Sequence, residues 1–160
     1  MQQVWETILT GKDWKIFEDF SCMLISHLSD ELELICFPDL KSKERQVDAI
    51  ICLGKSYTSP DVLIEAKNRD ETDTACIDQL ESGMLRFNVK TGFLVSKSRI
   101  ATTQIERIKL INKNDKDFLI VPVQGPHIEE FFRSDQSTKE FLLKLIKSAK
   151  YNIEKLAIKK

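Results

Sequence analysis

Two short stretches of this chain place acids inside otherwise apolar runs: Gln46-Val47-Asp48-Ala49-Ile50-Ile51 and Val62-Leu63-Ile64-Glu65-Ala66-Lys67-Asn68. Each reads as a β-strand, because β-branched and other apolar residues run through it. An acid in such a strand is costly to bury unless it is paired, hydrogen-bonded or ligating a metal. Strand alternation sets Glu65 and Lys67 on one face and Ile64 and Ala66 on the other. The 54–60 loop, with Gly54 and Pro60, makes the two strands an antiparallel hairpin centred near Tyr57, so Asp48 falls across from Glu65 and Lys67. The three side chains then converge, and two carboxylates at a strand junction form an oxygen-rich site suited to Mg²⁺ or Mn²⁺. A second reading needs no metal: Glu65 or Asp48 forms an ion pair with Lys67 on an exposed strand face. The triplet alone is weak, since Asp13-x-Lys15 and Asp39-x-Lys41 have a comparable form. Glu65-x-Lys67 differs in ending an apolar strand.

The elements that would hold these strands are read from periodicity. Residues 3–10 form a short helix and 13–29 a longer one, in which Trp14, Phe17, Phe20, Leu24, Ile25 and Leu28 share one apolar face. Glu18 falls on the rim of that face and Asp19 points away from it. Trp5 and Trp14 sit in these apolar patterns and read as core. Strands follow at 32–37, ended by Pro38, at 47–53 and at 61–67. A helix at 72–88, a strand at 92–96, a helix at 100–113 and a strand at 118–123 make crossover units, with Pro122 marking a sheet edge or a strand end. A short helix at 126–133 precedes a last one at 137–158, periodic through Leu142, Leu145, Ile146, Ala149, Ile153 and Leu156. The order α-β-β-β-α-β-α-β-α predicts an α/β fold with a mixed central sheet and helices on both faces.

With 160 residues the chain suits one domain with its own core. The 133–137 stretch, RSDQS, divides a core over 1–134 from a C-terminal helix over 135–160 packed on the same domain. A net charge of −1 gives no global pull toward nucleic acid. The charge is uneven, however: residues 1–40 carry eight acids and two lysines, and 139–160 seven lysines and two glutamates. Both a local basic face and an ordinary solvated helix surface fit that asymmetry. Cys22, Cys36, Cys52 and Cys76 are too far apart in sequence for a zinc knuckle or a redox pair; they read as reduced, mostly buried thiols of a cytoplasmic protein. Neither a signal-peptide pattern nor an apolar run of membrane length is seen. Five glycines and no phosphate-cradling loop argue against NTP-driven chemistry. His27 and His127 are isolated and read as structural or exposed.

The acid–acid–lysine arrangement resembles the PD-(D/E)xK, or restriction-endonuclease-like, nucleases, and most closely their Mrr-type catalytic domains. The likeness covers residues 12–125: Phe17-Glu18 on a first helix, Val47-Asp48 opening the second strand, Glu65-Ala66-Lys67 ending the third, then a helix and strand over 72–96. It implies a three-layer α-β-α restriction-endonuclease-like core followed by an amphipathic C-terminal helix. It also implies an Mg²⁺- or Mn²⁺-dependent endonuclease that hydrolyses DNA phosphodiester bonds, in restriction or phage defence. Asp48 and Glu65, with the carbonyl of Ala66, would hold the ion, which polarises a phosphate oxygen and activates water. Lys67 would orient that water or stabilise charge on phosphorus. Glu18 would hold a second ion or a water on the first; it reads equally as a helix-rim carboxylate. Asn68, Arg69, Gln79, Lys97 and Arg99 become candidate nucleic-acid contacts, and solvated-loop readings stand beside this for all but Gln79.

The chain departs from the family pattern in having Val47 where the name's proline would precede Asp48. The literal Pro60-Asp61 is a strand entry, since Asp61 lies four residues, or about 13 Å, before Glu65. Two further functions stay open: a non-catalytic nucleic-acid-binding or assembly subunit that keeps the fold, and a structure-specific resolvase or repair nuclease. DNA is the expected partner, with a partner subunit supplying sequence recognition and no membrane. A homodimer through the last helix or the edge near Pro122 would bring a second site to the other strand and leave Lys144, Lys147, Lys150 and Lys155 facing DNA.

Overall fold

Two antiparallel and two parallel pairings build a five-stranded mixed sheet whose spatial order is the chain order. The computed structural model describes residues 1–11, 13–28, 34–42, 45–53, 61–68, 74–114 and 117–158, and for 34–42, 45–53, 74 and 152–158 the backbone alone. Strands β1 (Leu34–Ser42), β2 (Arg45–Leu53) and β3 (Val62–Lys67) run antiparallel to their neighbours; β3, β4 (Thr91–Ser96) and β5 (Leu119–Gln124) run parallel. Parallel neighbours need crossovers, which α3 (Thr74–Phe87) and α4 (Thr102–Asn114) provide. Helices α1 (Gln2–Thr10), α2 (Trp14–Ser26), α5 (Gly125–Phe132) and α6 (Thr138–Ile158) complete the described elements. The chain is thus an α/β protein.

Helices on both faces explain why apolar residues predominate on both faces of β3, β4 and β5. Leu63, Leu94 and Ile120 pack with α3 and α4, through Ile77, Leu80 and Ile108. Ile64, Phe93 and Val121 pack with α1, α2, α5 and α6, through Trp5, Phe17, Ile128 and Leu142. Gly92 lets α3 approach the sheet, since a Cβ there would lie 2.6 Å from Met84 Sδ. Helix α3 ends on Asn88 at φ 52°, a left-handed position that asparagine tolerates, with Val89 N–H donating to Met84 O at 2.9 Å.

The β5 edge is closed from within. Leu119 N–H points into the sheet toward Lys90 O, so the even-numbered donors face outward. The Asn112 side chain meets Ile120 twice: Nδ2 donates to Ile120 O at 2.9 Å and Oδ1 accepts Ile120 N–H at 2.7 Å. Pro122 has no N–H to offer. Gln124 N–H donates to His127 Nδ1 at 3.4 Å. An edge whose donors are consumed resists strand addition.

Helix α6 opens on a capping box in which Ser137 N–H donates to Glu140 Oε2 at 2.9 Å and Glu140 N–H to Ser137 Oγ at 3.3 Å. It packs on β5 and α4. Leu142 and Ala149 are buried, and Leu145 and Ile146 lie against the core, so this part of the apolar stripe is used within the chain. Ile153, Lys155 and Leu156 fall outside the described side chains.

Two expectations are corrected here. Strand β1 does not stop before Pro38 but runs on to Ser42, with Pro38 opposite Ala49; an edge strand accepts a proline because the missing N–H need not join the ladder. Asp39-x-Lys41 therefore also lies within a strand. Cys22 is not a reduced thiol but disulfide-bonded, on a helix packed against β1 and β2, the strands that carry Cys36 and Cys52. Its partner falls outside the described side chains. Cys76 is buried. The bond removes the reduced-thiol argument for a cytoplasmic location.

Candidate functional site

Glu65 ends an apolar strand in the middle of the sheet and is only 2 % exposed. Alternation places it and Lys67 on the Leu63 face, the side covered by α3 and α4. The Lys67 ammonium lies 2.5 Å from Glu65 Oε1, and its side chain is 23 % exposed. The ion pair of the metal-free reading is therefore present, but its carboxylate is buried rather than on an exposed face. An unpaired ionised carboxylate there would cost on the order of several kcal/mol, which the adjacent cation offsets. Ser96, which the sequence reading passed over, is fully buried and level with Lys67 on β4. The signal available for it was a hydroxyl closing the apolar strand GFLVS.

Asp48 lies on β2 beside this pair. Ala49 stands opposite Ile64, so Asp48, one residue earlier, and Glu65, one residue later, are neighbours in the register. This is the hairpin register expected from the sequence; the Asp48 carboxylate itself falls outside the described side chains. Among the described residues no three His, Cys, Asp or Glu side chains form a metal-binding group.

Glu18 comes from the other side of the sheet. It is buried at 8 % exposure on α2, which packs across β1, β2 and β3, and its Oε2 lies 3.7 Å from Lys15 Nζ. Because α2 covers the face of Ile64 and Ala66, Glu18 and Glu65 approach the sheet from opposite sides.

Asn68 and Lys97 continue the alternation onto the α2 side, and both hold the α1–α2 connection. Asn68 Nδ2 donates to Asp13 O at 3.1 Å, and Lys97 Nζ to Gly11 O at 3.2 Å. Asn68 Oδ1 is buried without a hydrogen-bond partner. The expected phosphate contacts are thus occupied with an internal task, which fixes where α2 begins relative to β3 and β4. Gln79 is exposed on α3, while Ile77 and Leu80 of the same helix face the sheet. Arg99 is exposed on the β4–α4 turn, and Arg69 lies outside the described residues.

That turn is clamped to the end of β5. Ile100 N–H donates to Gln124 Oε1 at 2.8 Å and Gly125 N–H to Ser98 O at 3.4 Å. A Cβ on Gly125 would fall 1.9 Å from Lys97 O, a backbone atom. Gly125→Ala is therefore expected to displace the turn and cost about 1–3 kcal/mol in chemical denaturation; an unchanged midpoint and slope would contradict the close packing.

His127, read above as structural or exposed, is the third residue of α5 and closes that helix's start by accepting Gln124 N–H. It lines a cleft of about 240 Å³ with Glu130, Phe131, Phe141 and Lys144. Burial holds its pKa below the ordinary histidine value, Glu130 pulls it up and Lys144 pushes it down. A base whose folded pKa is depressed contributes stability that is present above its unfolded pKa, near 6.5, and is lost as pH falls through the folded value. Thermal midpoints are expected to fall as pH drops below that point, and His127→Gln should flatten the curve in the same window. An equally steep curve in the variant would assign the effect elsewhere.

No helix among the described residues is long and apolar enough to cross a membrane. Comparison with protein-family models, with curated proteins and with solved structures gives no match.

Proposed function

We propose that this chain is a divalent-metal-dependent endonuclease of the PD-(D/E)xK kind, hydrolysing phosphodiester bonds of DNA. The observation that carries the reading is a buried carboxylate and a lysine two residues apart at the end of a central strand, with an acid on the next strand in register. The donor set fits Mg²⁺ or Mn²⁺: it is all oxygen, from Asp48, Glu65 and the Ala66 carbonyl, and Glu65 already sits against a cation. The pair also lies where ligands meet open α/β sheets, at the carboxyl end of a parallel strand. The order of α2 through β4 and the helices on both faces of a mixed sheet agree with the three-layer core that such nucleases have.

Bound there, the ion would supply charge neutralisation at the phosphate and a more acidic water. The chain's own residues do the rest. Asp48 and Glu65 hold the ion. Lys67, released from Glu65, orients the attacking water or meets charge developing on phosphorus. Glu18 stands on the far side of the sheet and takes at most a supporting position near the strand ends. The direct test is incubation of supercoiled and linear DNA with the protein in Mg²⁺, Mn²⁺ and EDTA. Cleavage that survives EDTA would refute the reading.

One observation favours a second reading. The 2.5 Å pair satisfies Glu65 without any ion, as it would in a non-catalytic nucleic-acid-binding or assembly subunit that keeps the fold. Calorimetric titration with Mn²⁺ separates the two, since that subunit would bind DNA but no metal.

A further inference from the structure

Helix α2 turns one face to the sheet, on which Phe17 and Ser21 are fully buried and Glu18 nearly so. Trp14 lies on that same face, one turn before Phe17 and Glu18. Its indole is nevertheless 53 % exposed, whereas Trp5 is 2 % exposed. Helix α2 begins beside the carboxyl ends of β3 and β4, where Asn68 and Lys97 grip the backbone of Asp13 and Gly11. Its first residue therefore stands at that end of the sheet.

The mount is stiff. Asp13 Oδ1 caps the helix by accepting Lys15 N–H at 2.9 Å and Ile16 N–H at 3.4 Å, while Asp13 O is held by Asn68. A large aromatic is thus kept uncovered, on a fixed backbone, next to the residue that directly follows Lys67. Exposed Arg99 on the β4–α4 turn supplies a cation at the same end of the sheet.

We infer that Trp14 is a stacking platform for an unpaired base of the strand whose phosphate is held at Glu65 and Lys67, so that the substrate is single-stranded or locally opened nucleic acid. This rests on the phosphodiesterase reading above. An exposed aromatic ring at the same end of the sheet as that pair suits a nucleobase, because every base offers a π face whatever its sequence. In a closed duplex the bases are stacked on one another and offer no such face to a side chain.

The test uses the full chain in EDTA, so that no strand is cut, titrated with a labelled single-stranded DNA oligonucleotide and with the blunt duplex of the same sequence. The single strand is expected to quench the emission of exposed Trp14. Trp14→Ala should weaken single-strand binding on the order of ten- to a hundredfold without lowering the thermal midpoint, and Trp14→Phe should keep most of the affinity. Unchanged single-strand affinity in Trp14→Ala overturns the inference, as it would if the ring served a protein partner, and so does absence of any binding. The two readings fail differently. Trp14-dependent binding without cleavage in Mg²⁺ sinks the nuclease and leaves the platform. Metal-dependent cleavage with no effect of Trp14→Ala does the reverse.

Discussion

Glu65→Ala is expected to lose metal binding and DNA cleavage together, with activity down about a thousandfold or more. A divalent ion at a phosphate supplies several kcal/mol of charge stabilisation, and each ~1.4 kcal/mol is a factor of ten in rate. Asp48→Ala should behave in the same way. Lys67→Ala should separate the two properties: it keeps the oxygen ligands, so it binds metal, yet loses most of the rate. It also leaves the Glu65 carboxylate, 2 % exposed, without the ammonium that stands 2.5 Å away. Removing one partner of a buried ion pair costs about 3–5 kcal/mol, and the partly open lysine side places this site at the low end. Added Mg²⁺ should recover much of that loss in thermal unfolding, because the ion takes the place of the lost cation. Undiminished cleavage by Glu65→Ala would remove the assignment. Lys67→Ala with ordinary stability and no response to Mg²⁺ would show that the carboxylate does not need a cation at all.

Asn112→Ala is expected to have the largest effect on stability away from the site. Asn112 is buried, and its amide satisfies both the N–H and the C=O of Ile120 on the edge of the sheet. Alanine leaves both groups without a partner, at about 1–3 kcal/mol each, so a total loss of roughly 2–6 kcal/mol follows. For a chain of this size that lowers the thermal midpoint by about 5–20 °C. The same change opens the one outward donor of β5 that neither Pro122 nor His127 covers, so self-association should rise with the loss of stability. Asn112→Asp is the sharper control: it can still accept Ile120 N–H but sets oxygen against Ile120 O. Aspartate that restores the parent midpoint would show that the paired amide geometry is not what holds the edge.

Element order, the hairpin register and the buried acid were all legible in the sequence, because each rests on local periodicity. Apolar alternation and β-branched content marked β2 and β3, helical spacing marked α2 to α4, and the loop between Leu53 and Asp61 set which residues of the two strands meet. The interruption of an apolar strand by Glu65 was enough to mark it as the residue whose burial needs a reason. Other features depend on where one element stops against another, which no local pattern contains. Trp14 has the spacing of a core residue and is exposed at the start of α2. Asn68 and Lys97 have the composition of a solvated loop, and their donors are used because the α1–α2 connection passes beside the strand ends. Pro38 looked like a strand terminator and is tolerated because β1 is at the edge. Cys22 looked like a reduced thiol and is disulfide-bonded, which no local pattern shows. Glu18 reads in the sequence as a helix-rim residue and is buried, and only the layering of the sheet decided that it approaches from the side opposite Glu65. Periodicity is a property of neighbours in the chain, whereas exposure and facing depend on which strands and helices end nearby in space.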